Sequence, residues 1–244
     1  MDTALRSGLK KDLPMFNRRS FLRGFAFIAL LVAVAVHAQA QETLAPSYEP
    51  GDTFIYSNGA VERFVGESAE GLSWQTLSGR TYVRDRSFFA PILGWETSTT
   101  RGARQLSGNP HNVWPLEGRG RARFTVAGDV EIREGDEGWA DAVSHREVQH
   151  WRCRAGAIEY ITVPAGEFET YPIVCDRYSA SSMRVLRRQT WYYAPDVGHY
   201  VRRVDVSFSS GDESSRDLLA ALPARFANAA RVRAILSEWR DGTD

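Results

Sequence analysis

Val148-Gln-His-Trp-Arg-Cys153-Arg-Ala-Gly156-Ala-Ile-Glu-Tyr-Ile-Thr-Val163, then Pro164-Ala165-Gly166-Glu167, then Phe168-Glu-Thr-Tyr171-Pro-Ile-Val-Cys175-Asp-Arg-Tyr178 is the stretch that decides the fold. β-Branched and aromatic residues alternate with polar ones on both sides of a turn, which reads as two long antiparallel strands. Centring the turn on Ala165-Gly166 makes partner numbers sum to 331, so Ile161 faces Thr170, Ile158 faces Ile173 and Cys153 faces Tyr178. Cys153 and Cys175 then lie three positions out of step, and on opposite faces of an unbroken strand. An even pair of cysteines in an oxidising compartment suggests a disulfide. Here it requires an irregularity, and Ala155-Gly156-Ala157 is the natural place, because glycine tolerates a kink. Two buried free thiols are the alternative.

Working outward, Asp52–Ser57 and Ala60–Val65 flank Asn58-Gly59, and Leu72–Leu77 and Arg80–Asp85 flank Ser78-Gly79. These are two successive hairpins whose turn residues accept positive φ. Pro91 keeps Phe88–Leu93 from being a central strand, and Trp95–Arg101 adds another strand. Glycines and prolines punctuate residues 102–120, which read as an irregular loop with Val113–Leu116 docked on the core. Arg121–Val126 resumes the alternation, and Asp129–Asp141 is an acidic turn. Met183–Tyr193 and His199–Phe208 form a last hairpin, with Val204, Val206 and Phe208 on a dry face and Arg203, Asp205 and Ser207 on a wet one. Leu222, Phe226, Ala229, Val232, Leu236 and Trp239 fall on one helical stripe, with Pro223 in its first turn. The expected architecture is mainly β: a curved antiparallel sheet over residues 41–213, with a C-terminal helix over 214–244 packed on it.

The run Glu159–Tyr171, followed by Gln189-Thr-Trp-Tyr-Tyr-Ala-Pro-Asp-Val-Gly198, resembles a signature of largely uncharacterised exported bacterial proteins. In them a V-P-A-G-x-F hairpin precedes a T-W-Y-x-P-x-x-G turn. Their fold is similar to the half-barrel of the periplasmic lipoprotein carriers. The resemblance implies that fold, and by analogy the handling of lipid. It brings no catalytic residues, because the signature is structural.

The N-terminal region supplies an address. Arg18-Arg19-Ser-Phe21-Leu22-Arg precedes the apolar run Phe25–Val36, and Ala38-Gln-Ala40-Gln41 offers a small-x-small cleavage site. This is the pattern of a secretory signal peptide over residues 1–40, cut between Ala40 and Gln41. The arginine pair with Phe21 and Leu22 is twin-arginine-like, with the general secretory route as the alternative. A run of twelve residues is too short to span a bilayer, which takes about 20, so no membrane anchor is expected after cleavage and the expected location is periplasmic or secreted. The remaining chain carries 24 basic and 28 acidic residues after six and two are assigned to the signal. A mildly acidic chain is not expected to bind nucleic acid.

No catalytic constellation, metal-ligand set or cofactor motif stands out. His145, Glu147 and Gln149 share a strand face, so Glu147 with His145 or His150 is the pair a hydrolase would use. The acidic stretch 129–141 does not fit an EF-hand. Trp74, Trp95, Trp114, Trp151 and Trp191 are the candidates for a ligand-contacting aromatic surface, with core filling as the alternative; Trp139, flanked by Gly138 and acidic residues, is expected to be the most exposed tryptophan. The expected function is that of an exported, non-enzymatic binding protein for an apolar ligand such as a lipid or acyl chain. The alternative is an interaction module meeting an envelope protein through a sheet edge or the 102–120 loop.

Overall fold

The structure is a computed structural model, and it describes residues 46–133, 138–139 and 142–242. The signal residues Arg18, Arg19, Phe21, Leu22, Ala38, Ala40 and Gln41 lie outside the described residues, as do Glu134, Asp136, Glu137 and Asp141 of the acidic stretch.

Thirteen strands follow one another: β1 (Thr53–Tyr56), β2 (Val61–Ser68), β3 (Gly71–Gln75), β4 (Thr81–Arg84), β5 (Ile92–Glu96), β6 (Thr100–Gly108), β7 (Arg121–Ile132), β8 (Val143–Ala155), β9 (Glu159–Val163), β10 (Gly166–Tyr178), β11 (Val185–Ala194), β12 (His199–Ser207) and β13 (Glu213–Leu222). One helix, α1 (Ala229–Asp241), follows. The strands form a single antiparallel sheet in which nearly every strand pairs with its neighbours in sequence. The expected curved antiparallel sheet is therefore present, and its curvature goes beyond a half-barrel. β11 pairs with β10 as well as with β12, and β13 pairs with β1, so every strand except β9 belongs to a closed ring. Closure removes the open edges that a half-barrel would leave.

Three expectations need correction. In the long hairpin, Phe168 pairs with Ile161 and Gly166 with Val163, because the turn residues are Pro164-Ala165. Partner sums are therefore 329 there, not 331. Between β8 and β9 the chain leaves the ladder at residues 156–158, where the Gly156 N–H donates to the Pro172 carbonyl. Beyond that point the sum falls to 328, which sets Cys153 directly opposite Cys175. The glycine kink thus supplies one step and the turn the other two. The cysteines form a disulfide with a Cα–Cα distance of 4.1 Å.

The segment expected to be a loop over 102–120 is strand as far as Gly108. Gly102 is not punctuation: the Trp95 indole lies where a Cβ would stand, with ring carbons 2.1–2.5 Å from that position. Only residues 109–120 are irregular; they carry two short 3-10 turns that bury Val113 and Leu116.

The C-terminal boundary also moves. Residues 213–222 form strand β13, filling the gap between β12 and β1. Their period-two alternation (Ser214, Arg216 and Leu218 against Ser215, Asp217 and Leu219) wins over the helical stripe. Pro223 follows the strand, and Asn228 caps α1 by accepting from the Arg231 N–H. Leu222 is therefore in the sheet, and Phe226 is exposed in a turn. The helix does pack on the sheet, but on its outer face. Val232 and Leu236 cover Ile55 and Val61, and the Trp239 Nε1–H donates to the Ser57 carbonyl. Phe54 and Tyr56, which alternate with Ile55, point to the lumen.

The lumen is filled at one end. Phe88, Phe89 and Ala90 from the β4–β5 connection are buried, with Val113 and Leu116 from the β6–β7 connection. They join Phe54, Trp74, Tyr193 and Tyr200 in a chain of ring contacts, Phe88 lying 5.6 Å from Tyr193 and 5.8 Å from Tyr200. The disulfide faces the same core, among Ala122, Ala155 and Ile173.

The bridge closes a loop with a sequence separation of 22 residues, so the chain-entropy account assigns it about 3 kcal/mol. A Cys153→Ala/Cys175→Ala variant is expected to fold and to lose about that much, read from urea midpoints at unchanged slope.

Candidate functional site

Side chains facing the lumen change character along the strands. At the plugged end they are aromatic or aliphatic. At the other end, bounded by the β1–β2, β3–β4 and β5–β6 turns, they are Glu62, Tyr82, Arg84, Ile92, Trp95, Arg104, Glu147, Gln149, Arg177, Arg187, Gln189, Arg203, Asp205 and Arg216. The registers place these on one face, since Gln189 stands opposite Cys175 and Asp205, and Arg203 opposite Trp191 and Arg216. The wet face of the last hairpin therefore lines the interior. Val204 and Val206 are on the outside, and the usual dry-in, wet-out reading is inverted here. The inversion is possible because the lumen at this end is open.

Two cavities occupy it. An outer one of about 730 Å³ is lined by Ala60, Val61, Leu77, Tyr82, Ile92 and Trp95, with Arg84, Arg203 and Arg216 at its inner wall. An inner chamber of about 330 Å³ shares Arg84, Ile92 and Arg203 with it. Arg104, Arg177, Arg187, Glu147, Gln149, Gln189, Trp151 and Trp191 line the rest of the chamber. The outer volume falls within the usual range for small-molecule sites.

The floor between cavity and core is an ionic cluster. The Glu62 carboxylate lies 3.4 Å from Arg84 and 3.5 Å from Arg216, and it accepts from the Tyr200 hydroxyl at 2.9 Å. Burial pushes this carboxyl up, but the Arg84 and Arg216 guanidiniums outweigh it and hold it well below the usual range, so Glu62 is ionised. His199, fully buried, stands 3.3 Å from Glu62 through Nε2 and 2.7 Å from the Tyr48 hydroxyl through Nδ1. Burial pushes the imidazole down, and with Arg84 and Arg216 it outweighs the opposing pull of Glu62, so the ring is neutral at pH 7. That fixes its tautomer: Nε2–H donates to Glu62, and Nδ1 accepts from Tyr48.

Among the described residues, six inward arginines (84, 104, 177, 187, 203 and 216) meet three inward carboxylates. Glu62 serves Arg84 and Arg216. Asp205 serves Arg187 at 2.9 Å and Arg203 at 2.6 Å. Glu147 pairs with Arg104 and accepts from Gln149 at 2.6 Å. Arg177 has no carboxylate partner among the described residues. Two of the directly opposed like-charged pairs face inward, Arg177 opposite Arg187 and Arg203 opposite Arg216. Such pairs oppose folding. Burial and the Arg216 charge lower the Arg203 pKa, the mark of a crowded cation.

The sequence candidates distribute unevenly. Trp95 lines the outer cavity, with Arg104 4.2 Å from its ring centre. Trp151 and Trp191 border the inner chamber while buried in the core. Trp74 and Trp114 reach neither cavity: Trp74 is sealed among Tyr48, Phe54, Phe64 and His199, and Trp114 stands edge-on to Tyr193. Their role is filling. Trp139 is only partly exposed, held between Arg101 and Arg133. His145 and Glu147 do share a face, but the Glu147 partners are Arg104 and Gln149; His150 lies on the outer face, 3.0 Å from Thr125. The hydrolase pair is therefore not assembled. Of the surfaces proposed for an envelope partner, the 109–120 segment anchors Pro110, Val113 and Leu116 in the core and exposes the residues between them. The remaining strand edge, β9, has its Thr162 carbonyl occupied by Arg202 at 3.0 Å.

Glu62, His199 and the arginines were not singled out in the sequence. Their signal was available as polar residues at every second position in otherwise core-facing strands (Tyr82/Arg84, Gln189/Trp191, Arg203/Asp205).

No family model matches the chain, and no curated protein matches it. Among solved structures it is similar to the hypothetical lipoprotein YmcC from Escherichia coli, with 10% identity, TM-score 0.44, and coverage of 75% of this chain and 89% of that one. It is also similar to a putative exported protein with a YmcC-like fold from Bacteroides fragilis, with 11% identity, TM-score 0.35, and coverage of 73% and 99%.

Two outcomes follow from the ionic floor. Glu62→Gln leaves Arg84 and Arg216 buried without their counter-charge and is expected to cost about 3–5 kcal/mol in urea unfolding. Stability is also expected to fall with acidification. Below pH 6.5, the ordinary His value, the unfolded chain binds a proton at His199 that the folded chain refuses, so the unfolded state gains down to the lowered folded pKa. Glu62 adds a second loss in the same direction below 4.5. His199→Gln is expected to flatten the slope between about pH 7 and 5; an unchanged slope would place the titrating group elsewhere.

Proposed function

We propose that this chain is an exported, non-enzymatic binding protein whose barrel takes a small ligand with an apolar portion through its open end. The observation that carries the reading is the asymmetry of the lumen: one end packed solid by its own aromatic residues, the other a cavity of about 730 Å³ walled by Ala60, Leu77, Tyr82, Ile92 and Trp95. Export rests on the signal pattern in residues 17–41. The helix takes no part in covering the ligand, since it lies outside the ring.

An apolar cavity open to water gains from receiving apolar surface, at roughly 25 cal/mol per Å² removed from solvent. Rigid walls keep the ordering cost low. Binding of an acyl chain or similar group is the expected consequence, and mass spectrometry of organic extracts of the purified protein would find it co-purified. The mouth can be tested directly. Ile92→Trp, which fills the opening shared by both cavities, is expected to reduce uptake of the fluorescent probe N-phenyl-1-naphthylamine at least tenfold with little change in unfolding midpoint. Equal uptake by the variant would place the ligand outside the lumen.

A further inference from the structure

The inner chamber carries a feature that an apolar ligand leaves unused. Four of its donors, Arg84 Nε, Arg104 Nε, Arg177 Nε and Trp191 Nε1, are buried and have no acceptor among the described residues. Arg84 and Trp191 are more than nine-tenths buried as whole residues. A buried donor without a partner costs stability, and four gathered in one chamber are a concentration of that cost. Among the described residues the charges show the same imbalance, six inward guanidiniums against three inward carboxylates, with Arg177 unpaired and facing Arg187 across the ladder. Both kinds of surplus have the same complement: an anion rich in acceptor oxygens.

We propose that the inner chamber is an oxyanion site, and that the lumen ligand is an amphiphilic anion. Its carboxylate or phosphate head lies against Arg177, Arg84, Arg104 and the Trp191 N–H, and its apolar portion occupies the outer cavity along Ile92, Tyr82 and Leu77. This assignment rests on the lumen-binding reading above and names its ligand class. Arginine suits the role because its planar fork stays charged when desolvated and matches oxyanion geometry. The path is continuous in the lining: Arg84, Ile92 and Arg203 belong to both cavities, so a head group in the chamber leaves its tail pointing to the mouth. Glu62 and Asp205 do not compete for the head, because each is already held by two arginines.

The test compares four probes of one chain length by calorimetry on the signal-free protein: dodecanoate, dodecyl phosphate, dodecanol and methyl dodecanoate. At least one anion is expected to bind roughly tenfold to a hundredfold more tightly than the neutral pair, the range of a charge-assisted hydrogen bond or two. The two anions between them distinguish a carboxylate head from a phosphate head. Arg177→Gln is expected to remove that advantage while leaving dodecanol binding unchanged, and Arg177→Lys to retain part of it. Because Arg177 has no ion pair to lose and faces Arg187, the glutamine variant is expected to unfold at the same or a higher temperature, which separates lost recognition from lost structure. Equal binding of all four probes, unchanged in Arg177→Gln, would overturn the oxyanion site while leaving the lumen reading intact. Binding of none of them would overturn both.

Discussion

The width of the ring governs the rest of the structure. About eight strands enclose an interior that side chains alone can fill, and larger barrels leave space. Here thirteen strands minus the peripheral β9 make a ring of twelve. Such a ring must recruit more than its wall residues to close a core, and it does so from its connections: Phe88-Phe89-Ala90 from one, Val113 and Leu116 from another. The aromatic richness of the chain answers the same need, since each ring covers more volume per residue than an aliphatic side chain. The filling stops about halfway. Past Trp74, Trp191 and Tyr200 none of the described connections reaches in, and two cavities remain.

Glu62 marks where the two regimes meet. Below it are stacked rings, above it water-accessible arginines, and its carboxylate ties the two through Tyr200 and His199 on one side and Arg84 and Arg216 on the other. A charge this deeply placed survives only with partners on every side. The neutral His199, bridging Glu62 to Tyr48, lets a second strand and the N-terminal segment share in holding it. The cluster therefore acts as a rigid floor for the cavity, and rigidity in a binding wall lowers the ordering cost of occupation.

Local chemistry made much of the wall legible. Asn58-Gly59 and Ser78-Gly79 do turn the chain, though as three-residue loops in which only Gly59 and Gly79 take positive φ, and the cysteine pair by itself demands the Gly156 kink. What escaped was set by closure. The difference between sums of 331 and 328 depends on which two residues occupy the Val163–Gly166 turn, and both choices look equivalent locally. Residues 213–222 read as helix because nothing in their own sequence reveals the gap between β12 and β1 that they fill. The site escaped for a related reason. Arg203 and Asp205 look like the solvent side of an ordinary amphipathic strand, and only a ring with an open end makes the solvent side and the inner side the same face.

That identity of faces also explains why the overall charge was a poor guide. The chain after residue 40 is net acidic, yet its lumen concentrates cations against half as many carboxylates. In a narrow, partly desolvated space, charge–charge energies exceed those on the open surface several-fold, so under the proposed reading the local surplus selects the ligand, while remote acidic residues are screened beyond about 8–10 Å. A barrel assembled only for stability would pair Arg177 or replace it, because its charge opposes the ladder it sits in. In the oxyanion proposal, Arg177 and the three other donors without described acceptors form a preorganised site, in which the desolvation is met during folding and the ligand meets donors already aimed.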